Sequence, residues 1–223
     1  MQRSNQINEQ ATSIATLDLL GGKLCLDFAN TVDPRTGTHP HEYLKDYLDL
    51  VQWSQHVGIL NEKEGQSLLC RAAGQFTEAN ITFERAITLR ETIYRIFSSI
   101  AHKTNPQAAD LDTLKSAFIE VMAHAKLTAA DDGFAWDWIK REGVFDEMLW
   151  PVVRSAIELL TAEEVKRVKE CPGLGDCGWL FLDTSKNGSR QWCSMESCGS
   201  RAKMRRQYAR KRGKRIEHTR SAD

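Results

Sequence analysis

Residues 171–212, CPGLGDCGWLFLDTSKNGSRQWCSMESCGSRAKMRRQYARKR, decide the fold of the C-terminal part of this 223-residue chain. The segment holds four of the six cysteines, in the spacing C-x5-C-x15-C-x4-C. Two close pairs separated by a longer stretch are typical of a site in which four thiolates surround one Zn²⁺ ion tetrahedrally. Because four thiolates fill the coordination shell, a catalytic zinc with a bound water is not expected. The predicted ligands are Cys171, Cys177, Cys193 and Cys198.

The residues between the two cysteine pairs predict a scaffold for the ion. Alternation in 179–183, followed by the turn pair Asn187-Gly188, predicts a β-hairpin whose second strand is 190–193. Cys198 then falls near the N-terminus of a helix, where the helix dipole favours a thiolate. Together these elements indicate a treble-clef-like zinc finger with four cysteine ligands. A module of about 50 residues buries too little apolar surface to fold without its metal.

A strongly basic segment follows the last cysteine. It predicts a helix from Ser197 to about Arg212, and no acidic residue occurs between Gly199 and Ile216. Solvated helix surfaces usually mix Glu with Lys, so the excess of cations favours a surface that binds nucleic acid, with double-stranded DNA as the expected partner. Ordinary solvated charge is the other interpretation. The predicted contacts are Lys186, Arg190, Arg201, Lys203, Arg205, Arg206, Tyr208, Arg210, Lys211 and Arg212.

The net charge of zero conceals a division of the chain. Residues 1–170 hold 18 Lys and Arg against 25 Asp and Glu, whereas residues 199–223 hold 10 against 2. A polyanion would repel the first part and attract the second, which places the contact with nucleic acid in the C-terminal part alone. Docking of the basic segment on the acidic body is the competing interpretation.

Composition also bears on the compartment. The sequence has no uninterrupted apolar run of about 18 residues, and its start, MQRSNQINEQATS, lacks the apolar core of a signal peptide. We therefore expect a cytoplasmic protein with no membrane contact. In a reducing compartment, clustered cysteines are metal ligands more often than disulfides. Cys25 and Cys70, which stand alone in apolar stretches, are expected to pack as small hydrophobic residues.

The chain that precedes the finger predicts a mainly helical domain with one small hairpin, so the expected fold class is α+β. The predicted divisions are a disordered leader at 1–13, the helical domain at 14–165, the finger with its basic helix at 166–213 and a flexible basic tail at 214–223.

Within the helical domain, periodicity and capping residues predict the individual elements. Helices are expected at 40–56, after Asn61, from Thr77 to Ile100, after Asp110 and at 144–160. The hairpin is expected at 127–138, around the turn pair Asp132-Gly133. For the apolar residues 24–28, the pattern fits both a strand and a helix. The aromatic residues expected in the core are Trp136, Trp138 and Trp150.

Two parts of the sequence resemble a known pair of protein families. The four cysteines, the stretches GWLFLDTSKNGSR and WCSM, and the tetrad CGSR at 198–201 are similar to the CGNR zinc-finger family, with Ser200 in place of the family's Asn. GGKLCLDFANTVDPRTG at 21–37 and LWPVVRSAIELL at 149–160 resemble the ABATE domain that accompanies this finger. The resemblance implies a stress-induced bacterial transcription regulator that contains zinc and binds DNA through its basic residues.

The helical domain of such a regulator would act as a sensor or as a dimerisation domain that joins two copies of the chain. Its candidate ligand is a small anion, for which basic side chains are the natural partners. The candidate residues are Arg35, His39, Arg90 and Arg154, with Asn30 nearby. Arginines embedded in apolar segments are more often structural ion pairs, for which Asp27 or Asp33 would be the partner.

Catalysis is not expected of this chain. Outside the finger the sequence shows no Ser-His-Asp pattern, no glycine-rich phosphate loop and no metal-ligand spacing. The favoured interpretation is therefore a zinc-dependent, DNA-binding transcription regulator. The alternative is a zinc-stabilised module that binds RNA or another protein.

Overall fold

The computed structural model describes residues 13–130, 133–139, 143–173 and 177–209. In these ranges the chain is mainly helical and has three small antiparallel sheets, which confirms the α+β class. None of the described helices is long and apolar enough to cross a membrane. Parts of the predictions lie outside the described residues: 1–12 of the leader, the tail at 214–223, and the predicted contacts Arg210, Lys211 and Arg212.

The described chain is ordered as a helical body followed by the finger. The helices of the body are α1 (Leu24–Ala29), α2 (Tyr47–His56), α3 (Glu62–Gly74), α4 (Phe76–Ala101), α5 (Ala108–Met122) and α6 (Leu149–Thr161). The strand pairs are β1 (Val32–Asp33) with β2 (His41–Glu42), β3 (Ala125–Ala130) with β4 (Gly133–Trp138), and β5 (Val168–Glu170) with β6 (Leu180–Leu182). In the finger, a π-helical turn at Met195–Gly199 leads into helix α7 (200–209).

The helices α3 and α4 lie where the sequence predicts them, because local signals determine both. Asn61 Oδ1 accepts a hydrogen bond from Glu64 N, and Glu64 Oε2 accepts one from Asn61 N, both at 2.9 Å. This capping box begins α3. The 26 residues of α4 follow an apolar stripe that includes the buried Ile93. The predicted hairpin is also confirmed, with Ala130 paired to Gly133 at its tip.

The helix predicted from Pro40 is shorter than expected. It begins at Tyr47, because Asp46 Oδ1 accepts a hydrogen bond from Asp49 N at 3.0 Å and so caps the helix. The preceding residues 41–42 form β2 and pair with β1 instead. An aspartate at an N-cap position thus overrides the apolar spacing that continues upstream of it.

Two further helix starts differ from the prediction. The helix α5 begins at Ala108 and is not capped by Asp110, whose carboxylate instead accepts a hydrogen bond of 2.6 Å from Arg95 Nη2. The helix α6 begins at Leu149 rather than at 144. In both places the sequence indicates the helix correctly and its first residue incorrectly.

The ambiguous segment 24–28 is helical and lies at the centre of the molecule. It packs against α4 and α6, and the ring of Phe28 lies 5.0 Å from that of Trp53. Burial raises the pKa of the Cys25 thiol to about 12, so Cys25 is a packing residue, as expected. Cys70 is exposed on α3, and the prediction that it packs as a hydrophobic residue is wrong.

The body and the finger share one continuous core. The side-chain amide of Asn30 accepts a hydrogen bond from Leu180 N at 2.9 Å and donates one to Leu180 O at 2.8 Å, as a neighbouring strand would. Trp179 Nε1 donates to Val32 O at 2.9 Å. Asn30, only 1% exposed, therefore joins the finger to the body and is not placed to contact a ligand.

The hairpin of the finger differs from the predicted one. The strand β6 pairs with β5, which precedes the first cysteine, and not with 190–193. The other edge of β6 is occupied by the body, since Leu182 N donates to Gly21 O at 2.8 Å and Asn30 bonds to the same strand. A return strand therefore has no edge to pair with, and the turn at Gly188 closes a loop instead.

Candidate zinc centre and basic helix

Four sulfur atoms converge where the finger meets the body. All four lie within 4.8 Å of one another, and Cys177 Sγ and Cys198 Sγ each lie 3.7 Å from Cys193 Sγ. Sulfurs at the corners of a zinc tetrahedron with Zn–S bonds of ~2.3 Å are separated by about 3.8 Å. The four cysteines, Cys171 included, are at most 5% exposed. The residues therefore fit a closed, structural Zn²⁺ site.

The close packing of the sulfurs shifts the pKa values of the thiols in opposite directions. Hydrogen bonds from Cys177 and Cys193 lower the pKa of the Cys171 thiol to about 2. The contact with Cys171 raises the pKa of both neighbours, because each donates its proton toward the Cys171 sulfur. A Zn²⁺ ion would displace these shared protons and neutralise part of the resulting negative charge.

The first cysteine pair lies between β5 and β6. Cys171 N donates to Trp179 O at 2.8 Å, and Gly178 N donates to Cys171 O at 3.0 Å. Gly173 and Gly178 have φ angles of +50° and +69°, a left-handed conformation that favours glycine. A Cβ atom at Gly178 would also lie 2.8 Å from the Cβ of Arg35. Glycine at this position thus lets the backbone of the finger approach the body closely.

The second cysteine pair is held by the first turn of the basic helix. This turn begins at Met195, earlier than the predicted Ser197, and Ser194 Oγ caps it by accepting a hydrogen bond from Ser197 N at 3.3 Å. The turn is π-helical, and Gly199 N donates to Ser194 O at 2.9 Å. Cys198 therefore lies near a helix N-terminus, as predicted.

The last two residues of the CGSR tetrad are exposed to solvent and support the metal centre from outside. Arg201 Nη2 lies 3.3 Å from Cys198 Sγ, where a guanidinium stabilises a thiolate ligand. Ser200 Oγ donates to Met195 O at 2.9 Å and so supports the π-helical turn. The sequence assigned Arg201 to nucleic acid alone. Its position three residues after a cysteine ligand on a helix was the signal for its second role.

The other cations of α7 face solvent. Ala202 is 6% exposed and is the position at which the helix packs on the finger. Around it, the helix presents a basic outer surface with one aromatic residue that is 72% exposed, Tyr208. The exposed residues among the predicted nucleic-acid contacts are Lys186, Arg201, Lys203, Arg205, Arg206 and Tyr208.

Arg190 differs from the prediction, because its guanidinium is directed into the protein. It lies over the ring of Phe181 at 4.5 Å and donates through Nε to Trp192 O at 3.0 Å. Its Nη2 atom donates to Cys193 O and lies 3.4 Å from Leu20 O in the body. We therefore assign Arg190 to the support of a metal ligand rather than to nucleic acid.

Asp183 organises the same loop and was not identified from the sequence. Its fully buried carboxylate accepts hydrogen bonds from Lys169 Nζ at 2.6 Å, Ser185 N at 2.9 Å and Arg190 N at 3.0 Å. Burial alone would raise its pKa, but the bonds from Lys169 and Ser185 hold the pKa of this carboxyl well below its usual range. An aspartate two residues before a serine at a turn is the local signal for this arrangement.

The residues predicted to bind a small anion do not form one pocket. Arg90, 3% exposed, makes two hydrogen bonds of 2.6 Å to the carboxylate of Glu42 and one of 2.9 Å to Glu91. Arg35 Nη1 also bonds to Glu91, at 2.8 and 2.9 Å. These are structural ion pairs in which the arginines are buried and the glutamates are partly exposed, and their partners are glutamates rather than the two predicted aspartates. The sequence analysis missed both partners, Glu91 next to Arg90 and the more distant Glu42.

The other two residues of the predicted anion pocket lie elsewhere. His39 is exposed in the loop before β2, and Arg154 pairs with Glu158 one turn along α6, at 2.6 Å. A cavity of about 980 Å³ lies between α4, α5 and α6, and none of the four predicted residues lines it. Its carboxylates outnumber its guanidinium, so its charge disfavours an anion. The acidic and basic lining residues are Glu84, Arg85, Asp112, Glu120 and Asp146.

A closed four-cysteine centre at the base of a basic helix, packed on a helical body, defines a zinc-finger protein. Residues 22–163 match the model of the ABATE family, described as a putative stress-induced transcription regulator, and residues 167–211 match the CGNR zinc finger. The chain therefore belongs to the ABATE family and carries a CGNR finger after its body; it is a zinc-binding regulator. None of the curated proteins matches the chain.

Proposed function

We propose that the protein is a zinc-dependent transcription regulator that binds double-stranded DNA through α7. The observation that carries the proposal is an exposed, arginine-rich helix whose first turn supplies a zinc ligand. Cys198 and Arg201 fix the start of this helix at the metal centre. Zinc thus determines how the basic surface is presented, and removal of zinc releases that surface from the body.

The dimensions and charge of α7 suit the major groove of DNA. Its ten described residues span about 15 Å, and a helix of this kind fits a groove about 12 Å wide. Lys203 and Arg206 lie one turn apart on the exposed helix, and arginine offers two parallel hydrogen bonds to phosphate or guanine. The acidic body would be repelled by the duplex, so the contact is confined to the finger.

Zinc has a structural role in this proposal, and the chain has no catalytic one. Four thiolates leave no coordination position for a substrate or a water molecule. The body acts as the sensor or dimerisation part of the regulator. Contacts of Asn30 and Trp179 across the joint support this role, because a shift of α1 would move β6 and with it the metal centre.

The proposal is tested by the salt dependence of DNA binding. Each phosphate contact adds about 0.9 to the slope of log affinity against log salt concentration. Replacement of Lys203 and Arg206 by glutamine should therefore weaken binding to a fluorescent duplex and lower the slope by nearly 2. The matched control replaces two exposed lysines of the body, Lys45 and Lys63, and should leave the slope unchanged. Unaltered affinity in the α7 variant would reject the assignment.

A competition experiment separates DNA from RNA. Unlabelled duplex DNA and structured RNA are added at matched salt to the complex of the zinc-loaded protein with labelled duplex. More effective competition by one DNA sequence than by other duplexes and by RNA supports the regulator. Preferential displacement by RNA would favour the alternative, a zinc-stabilised RNA-binding module.

A further inference from the structure

The hairpin formed by β3 and β4 carries an apolar face that is open to solvent. Side chains of a strand alternate between its two faces, so residues that pair across the ladder share a face. Leu127, Phe134 and Trp136 are 60%, 78% and 41% exposed, and the expectation that Trp136 lies in the core is wrong. The pairs on this face are Ala125 with Trp138, Leu127 with Trp136, and Ala129 with Phe134.

The opposite face of the same hairpin has an ordinary solvent-facing composition. Lys126 Nζ bonds to Asp137 Oδ2 at 2.9 Å across the strands, and Thr128 Oγ1 donates to Ala135 O at 3.3 Å. The hairpin is therefore amphipathic although neither face is covered by another strand in the described chain. A pattern of this kind is typical of a sheet with one buried face.

The exposed apolar area of this face is concentrated in three side chains. From typical side-chain areas, its three most exposed residues leave roughly 400 Å² open to solvent, which is in the range of the largest apolar patch on a monomer, a patch that is often functional. A stable interface buries about 800 Å² on each partner, so this patch by itself supplies about half of one side, which suits a weak dimer. Trp138, whose ring lies 5.7 Å from that of Trp150, anchors the base of the hairpin to the body.

We propose that this face is a dimer interface at which the hairpins of two copies of the chain pack against each other. The exposed part of the face is self-complementary: β3 presents Leu127 and the small Ala129, whereas β4 presents the aromatic residues Trp136 and Phe134 opposite them. A two-fold axis parallel to the strands places β3 of one copy over β4 of the other. Ala129 of one copy then faces the ring of Phe134 in the other across about 10 Å, the usual separation of packed sheets.

The proposal is tested by sedimentation velocity of the zinc-loaded full chain at several concentrations. The wild-type protein should shift from monomer to dimer at micromolar concentration, as expected for a small apolar interface. Phe134→Asp places a charge on the apolar face and should weaken dimerisation at least tenfold. Ala135→Asp places the same charge at the next residue, on the opposite face, and should dimerise as the wild type does.

Two outcomes would overturn the proposal. The first is a wild-type protein that stays monomeric at a concentration on the order of 100 μM, where even a weak interface is occupied. The second is dimerisation that both variants weaken equally, or that neither weakens. Such a result would mean that the copies do not meet through the apolar face, for example because they pair along the edges of the strands. Phe134 is mostly exposed, so the variant should fold, and circular dichroism and zinc content verify this. The inference rests on the dimerisation role proposed for the body, whereas DNA binding by α7 is measured separately, so a monomeric protein would leave the DNA-binding assignment standing.

Discussion

Arg190 and Lys186 lie four residues apart in one loop of the finger, yet they have opposite relations to solvent. Lys186 is exposed, whereas Arg190 stacks on Phe181 and donates to the backbone of Cys193. Their partners differ because the loop folds back on the ligand-bearing segment. A cation in a basic finger is therefore not by itself a nucleic-acid contact.

A pair of alanine variants tests this assignment. Arg190→Ala should lower the free energy of unfolding of the zinc-loaded protein by about 2–4 kcal/mol, because it removes the contact with Phe181 and the donor to Cys193 O. Lys186→Ala should change it by less than about 0.5 kcal/mol. Urea unfolding followed by circular dichroism measures both. Equal losses in the two variants would contradict a structural role for Arg190.

Asp27 makes the stability of the body depend on pH. Burial raises the pKa of its carboxyl to about 6, against the opposing hydrogen bond from Gly21 N and the charge of His56. The pKa of Asp27 in the folded protein lies above its value near 3.9 in the unfolded chain. The contribution of the protonated carboxyl to the free energy of unfolding is therefore complete below about pH 4 and is lost as the pH rises through 6.

The variant Asp27→Asn keeps an acceptor for Gly21 N and cannot ionise. Between pH 4 and pH 7, the free energy of unfolding of the wild type should fall relative to this variant by about 2 kcal/mol. Chemical unfolding in excess zinc at each pH measures the difference, from which effects common to both proteins cancel. A difference that stays constant across this range would refute the buried, ionisable role of Asp27.

At the level of elements, the helices and turns that are fixed by residues close in sequence could be predicted. The capping box of Asn61 and Glu64 fixes the start of α3, and the spacing of the cysteines brings their sulfurs together. The partner of β6 was not predictable. The chosen edge depends on Asn30, which lies 150 residues away and occupies the position that a return strand would need. The same distance effect hid the glutamate partner of Arg90, Glu42.

The loop after β6 depends on one buried carboxylate, and its removal should be costly. Asp183→Asn retains the shape of the side chain but leaves Lys169 Nζ facing a neutral group, which is expected to destabilise the zinc-loaded protein by about 2–3 kcal/mol. Thr184→Ala, at an exposed neighbour, is the control and should be within about 0.5 kcal/mol of the wild type. Thermal unfolding in excess zinc compares them, and an unaffected Asp183→Asn variant would show that the loop is held by other contacts.

On the scale of the whole molecule, the finger and the body are one structural unit. The change of composition at the cysteines predicts an appended module, and the family boundaries at 163 and 167 fall at the same place. The contacts cross that boundary, since β6 bonds to Gly21 and Asn30, and Trp179 bonds to Val32. A dimer built on the β3–β4 hairpins would carry two basic helices, as a regulator that reads two half-sites requires.

Because the finger and the body share one core, loss of zinc should lower the local stability of the body. Chelation frees the four cysteines, and the resulting loss of order in β6 removes the partners of Asn30 and Gly21. Backbone amides of α1 should then exchange with deuterium at least tenfold faster, which corresponds to a loss of about 1.4 kcal/mol in local stability. The helix α3, which packs on α2 and α4, serves as the internal control and should exchange at nearly its former rate. If α1 kept its protection while the finger lost its own, the body could not transmit a signal to the metal centre through this joint, and the finger would act as an independent module.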